Sequence, residues 1–539
     1  MKKFLVTALL FQMMGPFSFG APLDKPFQLF PPTSGSAPVS YAKAAPVFDD
    51  SGKPWKFPYG DKVQVTLAPD IILRDVNPYQ FGVNTACWSG KAFFNAPEQL
   101  EKAKQAGIRF WRWPGGSTSD NYFWNGDYSK HPRDHDSNDV SNLNQAWAVS
   151  TDDFMRFCQE TGSDAIFTVN YAAARYLNVQ AAADLAAGWV RYCNVQNKYN
   201  VRYWEIGNED YGPWEEGNKV DGKPQLTGDV YGKDFQVIAA AMRKVDPNIF
   251  IGAVAVDTDS GDDWTGYHWW MRDLLPELKG KADFLILHQY FMWPFDASNN
   301  YSHPSNQAFF DNLHKLSDAK ASVNQMIAQY APAEKGIPIA LTEFNMVNAT
   351  PPETTELLNG LFTAEVLGDS MKVGYAATDF WDWKNGLDKK LGGDHAMLAS
   401  SDPSAVEGAP RATYYTYALY HDAFGSRLIG ADSSDPQVKV YASRFSGGQM
   451  GLIVVNEDGR PRTLIFNLGG FKPEGKLMGW VLTAHDLNDS QVSWNGVEAS
   501  PGGGPFPIDG IAPYKAHFDP AKGLAVPVAA YSVSGIVLY

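Results

Sequence analysis

The chain contains little cysteine. Only Cys87, Cys158 and Cys193 occur among 539 residues. Their spacing matches no metal-binding motif, and an odd number leaves at least one thiol outside any disulfide within the chain. Cys158 and Cys193 fall in helix-like segments, so we expect them to be buried as small hydrophobic side chains.

Charge is also sparse, and it is unbalanced. Charged residues make up 19% of the chain, and the formal net charge is −15. This negative charge disfavours nucleic acid and anionic membranes as partners and suits a neutral ligand. After the first twenty residues, no apolar run is long enough to span a bilayer. The hydrophobic content of 44% indicates a globular chain.

The N-terminus has the pattern of a secretory signal peptide over residues 1–20. Lys2 and Lys3 precede an apolar run that a Gly-Pro pair interrupts, and small residues lie before Ala21. An uncleaved membrane anchor is the alternative, but the run is short and broken. We therefore expect a secreted or periplasmic protein. A leader rich in Pro, Ser and Ala follows over residues 21–58.

Apolar strands then alternate with helical patterns over residues 59–426. Eight strands, each followed by a helix or a helix-like connection, predict a (β/α)₈ barrel, which is an α/β fold. The alternative is an open doubly wound sheet, but no G-x-G-x-x-G turn follows an early strand. The predicted strands contain Gly82, Phe110, Thr168, Glu205, Gly252, Leu287, Leu341 and Ala377.

The pattern changes over residues 427–539, where strands are separated by Gly, Pro, Asn and Asp turns without a convincing helix. This predicts a C-terminal all-β domain, most simply a sandwich. The segment 62–69, which precedes the barrel, has the pattern of a further strand of this domain.

Two glutamates end predicted barrel strands. Glu209 follows the fourth strand and Glu343 lies near the end of the seventh, and catalytic groups of (β/α)₈ barrels occupy such positions. Two carboxyls in one cleft are the groups that glycoside hydrolysis needs, one protonated and the other ionised. Arg112 on strand two, with His288 and Tyr290 on strand six, could stabilise the ionised carboxylate of Glu343.

The motifs around these residues resemble a known group of enzymes. "EIGNE" (205–209) with "TEFN" (342–345) resembles clan A of the retaining glycoside hydrolases. "RWPGG" (112–116) is similar to the arginine-containing loop of family 51, which comprises α-L-arabinofuranosidases and some endoglucanases. "TEFN" is closer to families 39 and 44. The resemblance covers roughly residues 60–539.

The resemblance implies a role for each matching residue. Glu209 would be the general acid/base and Glu343 the nucleophile, while Asn208 would bind the 2-hydroxyl of the sugar. Arg112 and Tyr290 would orient Glu343. His288 would share the role of orienting Glu343, Asn170 is a candidate sugar contact, and Trp381 and Trp383 are candidate platforms for sugar rings. Structural roles are the alternative for Arg112, His288, Trp381 and Trp383.

This chemistry requires no cofactor and no metal. The acidic segments 134–139 and 257–263 lack the spacing and the terminal Glu of a calcium loop, so we interpret both as solvated loops. Aromatic residues make up 14% of the chain, and they suit either a large core or a cleft for sugar rings. The sequence does not predict an oligomeric state.

Together these features predict a secreted retaining glycoside hydrolase that acts by double displacement on oligo- or polysaccharides of the plant cell wall. The Trp-rich loops favour an endo-β-1,4-glucanase or xylanase, whereas "RWPGG" favours the alternative of an α-L-arabinofuranosidase. A non-catalytic carbohydrate-binding protein is an alternative of another class, although it would be expected to lack one of the two carboxylates.

Overall fold

Residues 42–127, 147–259, 269–296, 298 and 300–539 are described by the structure, a computed structural model. The predicted signal peptide (1–20) and residues 21–41 of the predicted leader lie outside these residues. The acidic segment 134–139 and residues 260–263 of the second acidic segment also lie outside them. Within the described residues the strands are β1 (Lys53–Pro54), β2 (Asp61–Asp75), β3 (Gly82–Asn84), β4 (Phe110–Trp113), β5 (Asp164–Val169), β6 (Tyr203–Ile206), β7 (Phe250–Val254), β8 (Phe284–Met292), β9 (Ile339–Val347), β10 (Thr378–Phe380), β11 (Arg427–Ser433), β12 (Val438–Arg444), β13 (Met450–Asn456), β14 (Arg462–Asn467), β15 (Lys476–Ala484), β16 (Val492–Trp494), β17 (Tyr514–His517), β18 (Leu524–Val528) and β19 (Ser532–Leu538).

Strands β3 to β10 form a closed barrel in which each strand pairs in parallel with the next and β10 closes on β3. Nearly every residue of these strands is buried, as expected for strands that are covered on both faces. The prediction of a (β/α)₈ barrel with an all-β domain is confirmed. Seven of the eight residues used to predict the strands lie in them, and Ala377 immediately precedes β10.

Helices surround the barrel and cover the outer faces of its strands. The last two, α10 and α11, are buried over most of their length because the C-terminal strands pack against their other side. The α-helices of the described residues are α1 (Lys91–Phe94), α2 (Pro97–Gln105), α3 (Thr151–Thr161), α4 (Ala172–Tyr176), α5 (Val179–Val190), α6 (Gly228–Val245), α7 (Trp270–Leu278), α8 (Asn306–Asp311), α9 (Lys315–Tyr330), α10 (Leu357–Val373) and α11 (Ala412–Ala423).

The remaining described strands form one eleven-stranded sheet that encloses a second hydrophobic core. Its order is β1-β17-β15-β19-β13-β12-β11-β2-β14-β18, and β16 pairs with β15. Strand β2, which contains the segment 62–69, pairs with β11 and β14 and thus lies in this sheet although it precedes the barrel. The exact division of the chain near residue 426 stays a prediction.

Two further observations concern the cysteines and the helices of the described residues. Cys87, Cys158 and Cys193 are all described, and each is buried and free of a disulfide. Burial raises the pKa of the Cys87 thiol well above its usual value, so it has no thiolate character at neutral pH. None of the helices within the described ranges has both the length and the apolar character that crossing a membrane requires.

Candidate active site

The two glutamates lie at the carboxyl end of the barrel on nearby strands. Glu209 follows the end of β6 by three residues, and its φ of +46° places it in the left-handed region, which is uncommon for a residue with a side chain. Glu343 lies within β9. Its strand pairs with β8 through an irregularity between Leu287 and His288, which sets His288 opposite Glu343. The left-handed backbone of Glu209, at the carboxyl end of a barrel strand, indicates a functional constraint on this residue.

The carboxyls of Glu209 and Glu343 lie close together, and the imidazole of His288 approaches both. One oxygen of each carboxylate and one imidazole nitrogen lie within 4.8 Å of one another. Nδ1 of His288 is 2.8 Å from Oε1 of Glu209 and 3.7 Å from Oε2 of Glu343. Retaining glycoside hydrolases hold their two carboxyls about 5 Å apart, whereas inverting enzymes leave room for a water molecule between them.

Hydrogen-bond donors surround Glu343. Nη1 of Arg112 donates to its Oε2 at 3.2 Å, and the hydroxyl of Tyr290 donates to its Oε1. Arg112 is fully buried and also donates through Nε to Glu205 at 2.6 Å. Thr168 donates to the same oxygen of Glu205 at 2.8 Å. The barrel interior therefore holds the guanidinium in one orientation, with one of its nitrogens directed to Glu343.

Asn208 is held on both ends of its side-chain amide. Its Oδ1 accepts from Nη2 of Arg112 at 2.7 Å, and its Nδ2 donates to Oε1 of Glu215 at 3.0 Å. The backbone N–H of Asn208 donates to Asp120 at 3.3 Å. Asn208 is 2% exposed. Its orientation is thus determined by fixed groups of the barrel and of the loop after β6.

The protonation of the glutamate pair is set by these neighbours. Burial works to raise the pKa of Glu209, but the hydrogen bonds from His288 and Trp214 lower it below its usual value. Burial raises the pKa of Glu343, and the charge of Glu209 adds to this against the effects of His288 and Arg112. Two carboxyls this close titrate as a pair, so the position of a proton that they share depends on the balance of these opposing effects.

The other sequence-predicted residues occupy different environments. Asn170 caps the start of α4, since its Oδ1 accepts from the backbone N–H of Ala173 at 2.9 Å, and it is 4% exposed. Trp381 is half-buried and packs on the "RWPGG" loop, where a Cβ on Gly116 would lie 2.7 Å from its ring. Trp383 is fully buried, with its ring 5.3 Å from that of Trp111. Trp383 is therefore a core residue in this structure and has no surface on which a sugar could stack.

Asn84, Ser117 and Glu215 belong to this network, and none of them was among the sequence-based candidates. Asn84 on β3 accepts from Nη1 of Arg112 at 3.0 Å, and Ser117 donates to Glu215 at 2.7 Å. Asn84 could have been found as a polar residue inside an otherwise apolar barrel strand. Glu215 lies in a loop and Ser117 in the short 3₁₀ helix Gly116–Asn121, and their sequence carries no comparable signal.

Trp214 connects the same loop to Glu209. It is 54% exposed, and its indole Nε1 donates to Oε2 of Glu209 at 2.8 Å. This hydrogen bond helps to orient the carboxyl of Glu209.

Glu209, His288 and Glu343 also have the donor types of a metal site, because two carboxylates and one imidazole are ligands that divalent transition metals accept. The same three groups form the carboxyl pair and its hydrogen-bond donor. That the protein requires no metal stays a prediction.

Solved structures with the same architecture contain glycoside hydrolases of two families. An α-L-arabinofuranosidase from Thermotoga maritima, solved as an arabinose complex, has 19% identity, covers 88% of this chain and 99% of its own, and has a TM-score of 0.66. A family 44 endoglucanase from Clostridium thermocellum has 14% identity, covers 89% and 100%, and has a TM-score of 0.59. At these identities the likeness concerns the fold alone.

The sequence comparisons match a smaller part of the chain than the structure comparisons do. A family model described as the alpha-L-arabinofuranosidase 1 domain matches residues 102–284. The intracellular exo-α-(1→5)-L-arabinofuranosidase of Acetivibrio thermocellus is 27% identical over 216 residues. This alignment covers 36% of the chain and 38% of that relative. The resemblance to clan A of the glycoside hydrolases, and to family 51 within it, is confirmed.

These findings correct two expectations from the sequence. The preference for an endo-β-1,4-glucanase or xylanase is wrong, because the family model and the curated relatives are those of α-L-arabinofuranosidases. The expectation of a secreted or periplasmic protein is also wrong on these comparisons, since the Acetivibrio relative is named an intracellular enzyme.

Proposed function

We propose that the protein is an α-L-arabinofuranosidase that hydrolyses its substrate with retention of anomeric configuration. The observation that carries this proposal is the close pair Glu209 and Glu343 at the mouth of a barrel that resembles family 51. The proposed substrate is a neutral saccharide with a terminal arabinofuranosyl group, such as those of plant cell walls.

In the first step the carboxylate of Glu343 attacks the anomeric carbon. The bond between this carbon and the glycosidic oxygen breaks, and Glu209 transfers its proton to the departing oxygen. Arg112 and Tyr290 hold the carboxylate of Glu343 in place through one hydrogen bond to each of its oxygens. Asn208 donates to the 2-hydroxyl, a contact that strengthens as positive charge develops on the sugar.

In the second step Glu209, now ionised, takes a proton from water. The resulting hydroxide oxygen bonds to the anomeric carbon, and the ester bond to Glu343 breaks. The sugar leaves with the configuration it had in the substrate, and both carboxyls return to their starting protonation. Glu209 thus serves as acid and then as base, which requires a pKa that responds to the charge of Glu343.

The first step needs the shared proton on Glu209 and the anion on Glu343, which the donors Arg112 and Tyr290 stabilise. We propose that His288 adds to this stabilisation of the Glu343 anion when substrate binds. Its Nδ1 lies 2.8 Å from Oε1 of Glu209 and 3.7 Å from Oε2 of Glu343. A small rotation of the imidazole would therefore transfer its hydrogen bond from Glu209 to Glu343. A donor directed to Glu343 stabilises the anion there and leaves the proton to Glu209.

Variants of the two glutamates test this proposal on 4-nitrophenyl α-L-arabinofuranoside and on an arabinofuranoside with an alkyl leaving group. Glu343→Ala should lose turnover of both. Glu209→Ala should lose about 10²- to 10⁴-fold on the alkyl glycoside and much less on the aryl glycoside, whose leaving group needs little protonation.

Azide distinguishes the two roles. It should accelerate Glu209→Ala by replacing water in the second step, with a glycosyl azide of retained configuration as the product. Wild-type protein that hydrolyses aryl glucosides or xylosides but not the arabinofuranoside would refute the proposed substrate. Azide rescue of Glu343→Ala in place of Glu209→Ala would reverse the roles.

A further inference from the structure

The loop after β6 folds back on the two residues that end the "EIGNE" motif. Backbone hydrogen bonds from Gly212 to Glu209 and from Glu215 to Gly212 form consecutive tight turns. These turns place Trp214 against Glu209 and Glu215 against Asn208. Trp214 and Glu215 are adjacent in the loop, and they bind the adjacent residues Glu209 and Asn208 after the strand.

The hydrogen-bond partners of Asn208 determine which atom of its side-chain amide is the oxygen and which is the nitrogen. A guanidinium can only donate, so the amide end beside Arg112 must be the oxygen, and the end beside Glu215 must be the nitrogen. The amide nitrogen carries two hydrogens, and Glu215 accepts one of them. Among the described residues the other hydrogen has no acceptor, so it remains for a sugar hydroxyl.

We propose that Glu215 is a positioning residue that holds the amide nitrogen of Asn208 in the orientation from which it donates to the 2-hydroxyl of the sugar. This inference rests on the proposed function and deepens it, since it assigns part of the recognition of the 2-hydroxyl to a residue that does not touch the substrate.

Glu215 is suited to this role by its surroundings. It is 4% exposed, and its Oε1 accepts from both Asn208 and Ser117, at 3.0 and 2.7 Å. Ser117 follows the "RWPGG" loop, so Glu215 also joins the loops after β4 and β6. Burial, with the nearby charges of Asp120 and Glu209, raises the pKa of Glu215 well above its usual value.

A protonated Glu215 still performs this task, because its carbonyl oxygen accepts both hydrogen bonds. Glutamine offers the same carbonyl oxygen on a side chain of the same length. Glu215→Gln should therefore preserve the arrangement, whereas Glu215→Leu removes the acceptor and leaves a buried amide hydrogen unpaired.

The test compares kcat/KM for 4-nitrophenyl α-L-arabinofuranoside with kcat/KM for its 2-deoxy counterpart. Glu215→Leu should lower the value for the 2-hydroxy substrate by about tenfold, the rate equivalent of one lost hydrogen bond, and should change the 2-deoxy value by less than about twofold. Glu215→Gln should keep both values near those of the wild type. Asp221→Ala, which removes an exposed carboxylate of the same loop, is the matched control and should alter neither.

Equal losses on both substrates, or a loss in Glu215→Gln as large as in Glu215→Leu, would overturn the positioning role. Should Glu215→Leu fail to fold, Glu215→Asp decides by the same ratio, because it withdraws the acceptor by one methylene while keeping the carboxyl. Wild-type protein inactive on the arabinofuranoside would refute the proposed substrate instead. The ratio would then be measured on the glycoside it does hydrolyse.

Discussion

His288 is the residue on which the protonation of the candidate active site depends most. Its Nδ1 contacts Glu209, approaches Glu343, and lowers the pKa of both carboxyls. Replacing it with alanine removes a donor that stabilises either anion. Both limbs of the pH profile of kcat/KM should therefore move to higher pH in His288→Ala, because each anion then forms only at higher pH.

His288→Gln is the matched control for this prediction, since its amide can still donate a hydrogen bond and should give a smaller shift. The profile is measured on an aryl arabinofuranoside, with protein stability checked at each pH. An alkaline limb that stays in place or moves to lower pH in His288→Ala would show that His288 does not control the proton of the pair.

For single residues of the candidate active site, the sequence predicted those whose positions depend only on the barrel strands. Glu209 and Glu343 could be recognised because each lies at a strand end and the barrel brings such ends together. Asn84, Glu215 and Ser117 could not be recognised from the sequence. Their contacts with Arg112, Asn208 and each other depend on how separate loops and strands meet in the fold. Trp383 shows the opposite error, since an aromatic near a strand end was expected at the surface and is buried.

Helix α10 is one of the two helices through which the barrel packs against the β-domain. Its Gly368 faces Tyr441 on β12, and a Cβ there would lie 2.3 Å from the tyrosine ring. The ring is held in place, because its hydroxyl donates to Asp369 at 3.1 Å and the Lys372 amine lies 4.3 Å from its centroid. The ring has little freedom to move away.

Gly368→Ala should therefore destabilise the protein, although the same change in a free helix stabilises it by about 0.5–1 kcal/mol. We expect the free energy of unfolding to fall by about 1–3 kcal/mol, as in other overpacked cores. Denaturant unfolding measures this value. The pair Gly368→Ala and Tyr441→Ala should cost less together than the sum of the two single changes. Additive costs, or a stabilised Gly368→Ala variant, would contradict the contact.

The elements themselves were predictable where their pattern is long and regular. The barrel strands are continuous apolar runs between helices, and β13 and β15 are long apolar strands. Strands β16 and β17 have three and four residues and exist because they pair with β15. Strand β2 is predicted by its alternation, but its partners β11 and β14 lie more than 350 residues away, which no local pattern indicates.

On the scale of the whole molecule, one hydrophobic core extends from the barrel into the β-domain, which also encloses a second core of its own. Successive residues of β13 point to opposite sides: Leu452 and Val454 belong to the core inside the β-domain, whereas Ile453 and Val455 belong to the core that includes α10 and α11. Removing either part would expose this interface to water. Stability of the barrel should therefore depend on the β-domain.

We expect one cooperative transition in calorimetry rather than two. A chain that ends at residue 426 should lose its soluble, folded state, because α10 and α11 would expose the faces that now pack on the β-domain. Two resolved transitions in the full chain would contradict the shared core. A truncated chain that keeps a cooperative transition would do so as well.

The most direct test of the proposed activity is the configuration of the first product. Wild-type protein is mixed with 4-nitrophenyl α-L-arabinofuranoside, and the anomeric signals are followed by NMR before the free sugar equilibrates. Because Glu209 and Glu343 approach within 4.8 Å, the account predicts that α-L-arabinofuranose forms first. A β-anomer as the first product would contradict it, as would a site that leaves the arabinofuranoside intact.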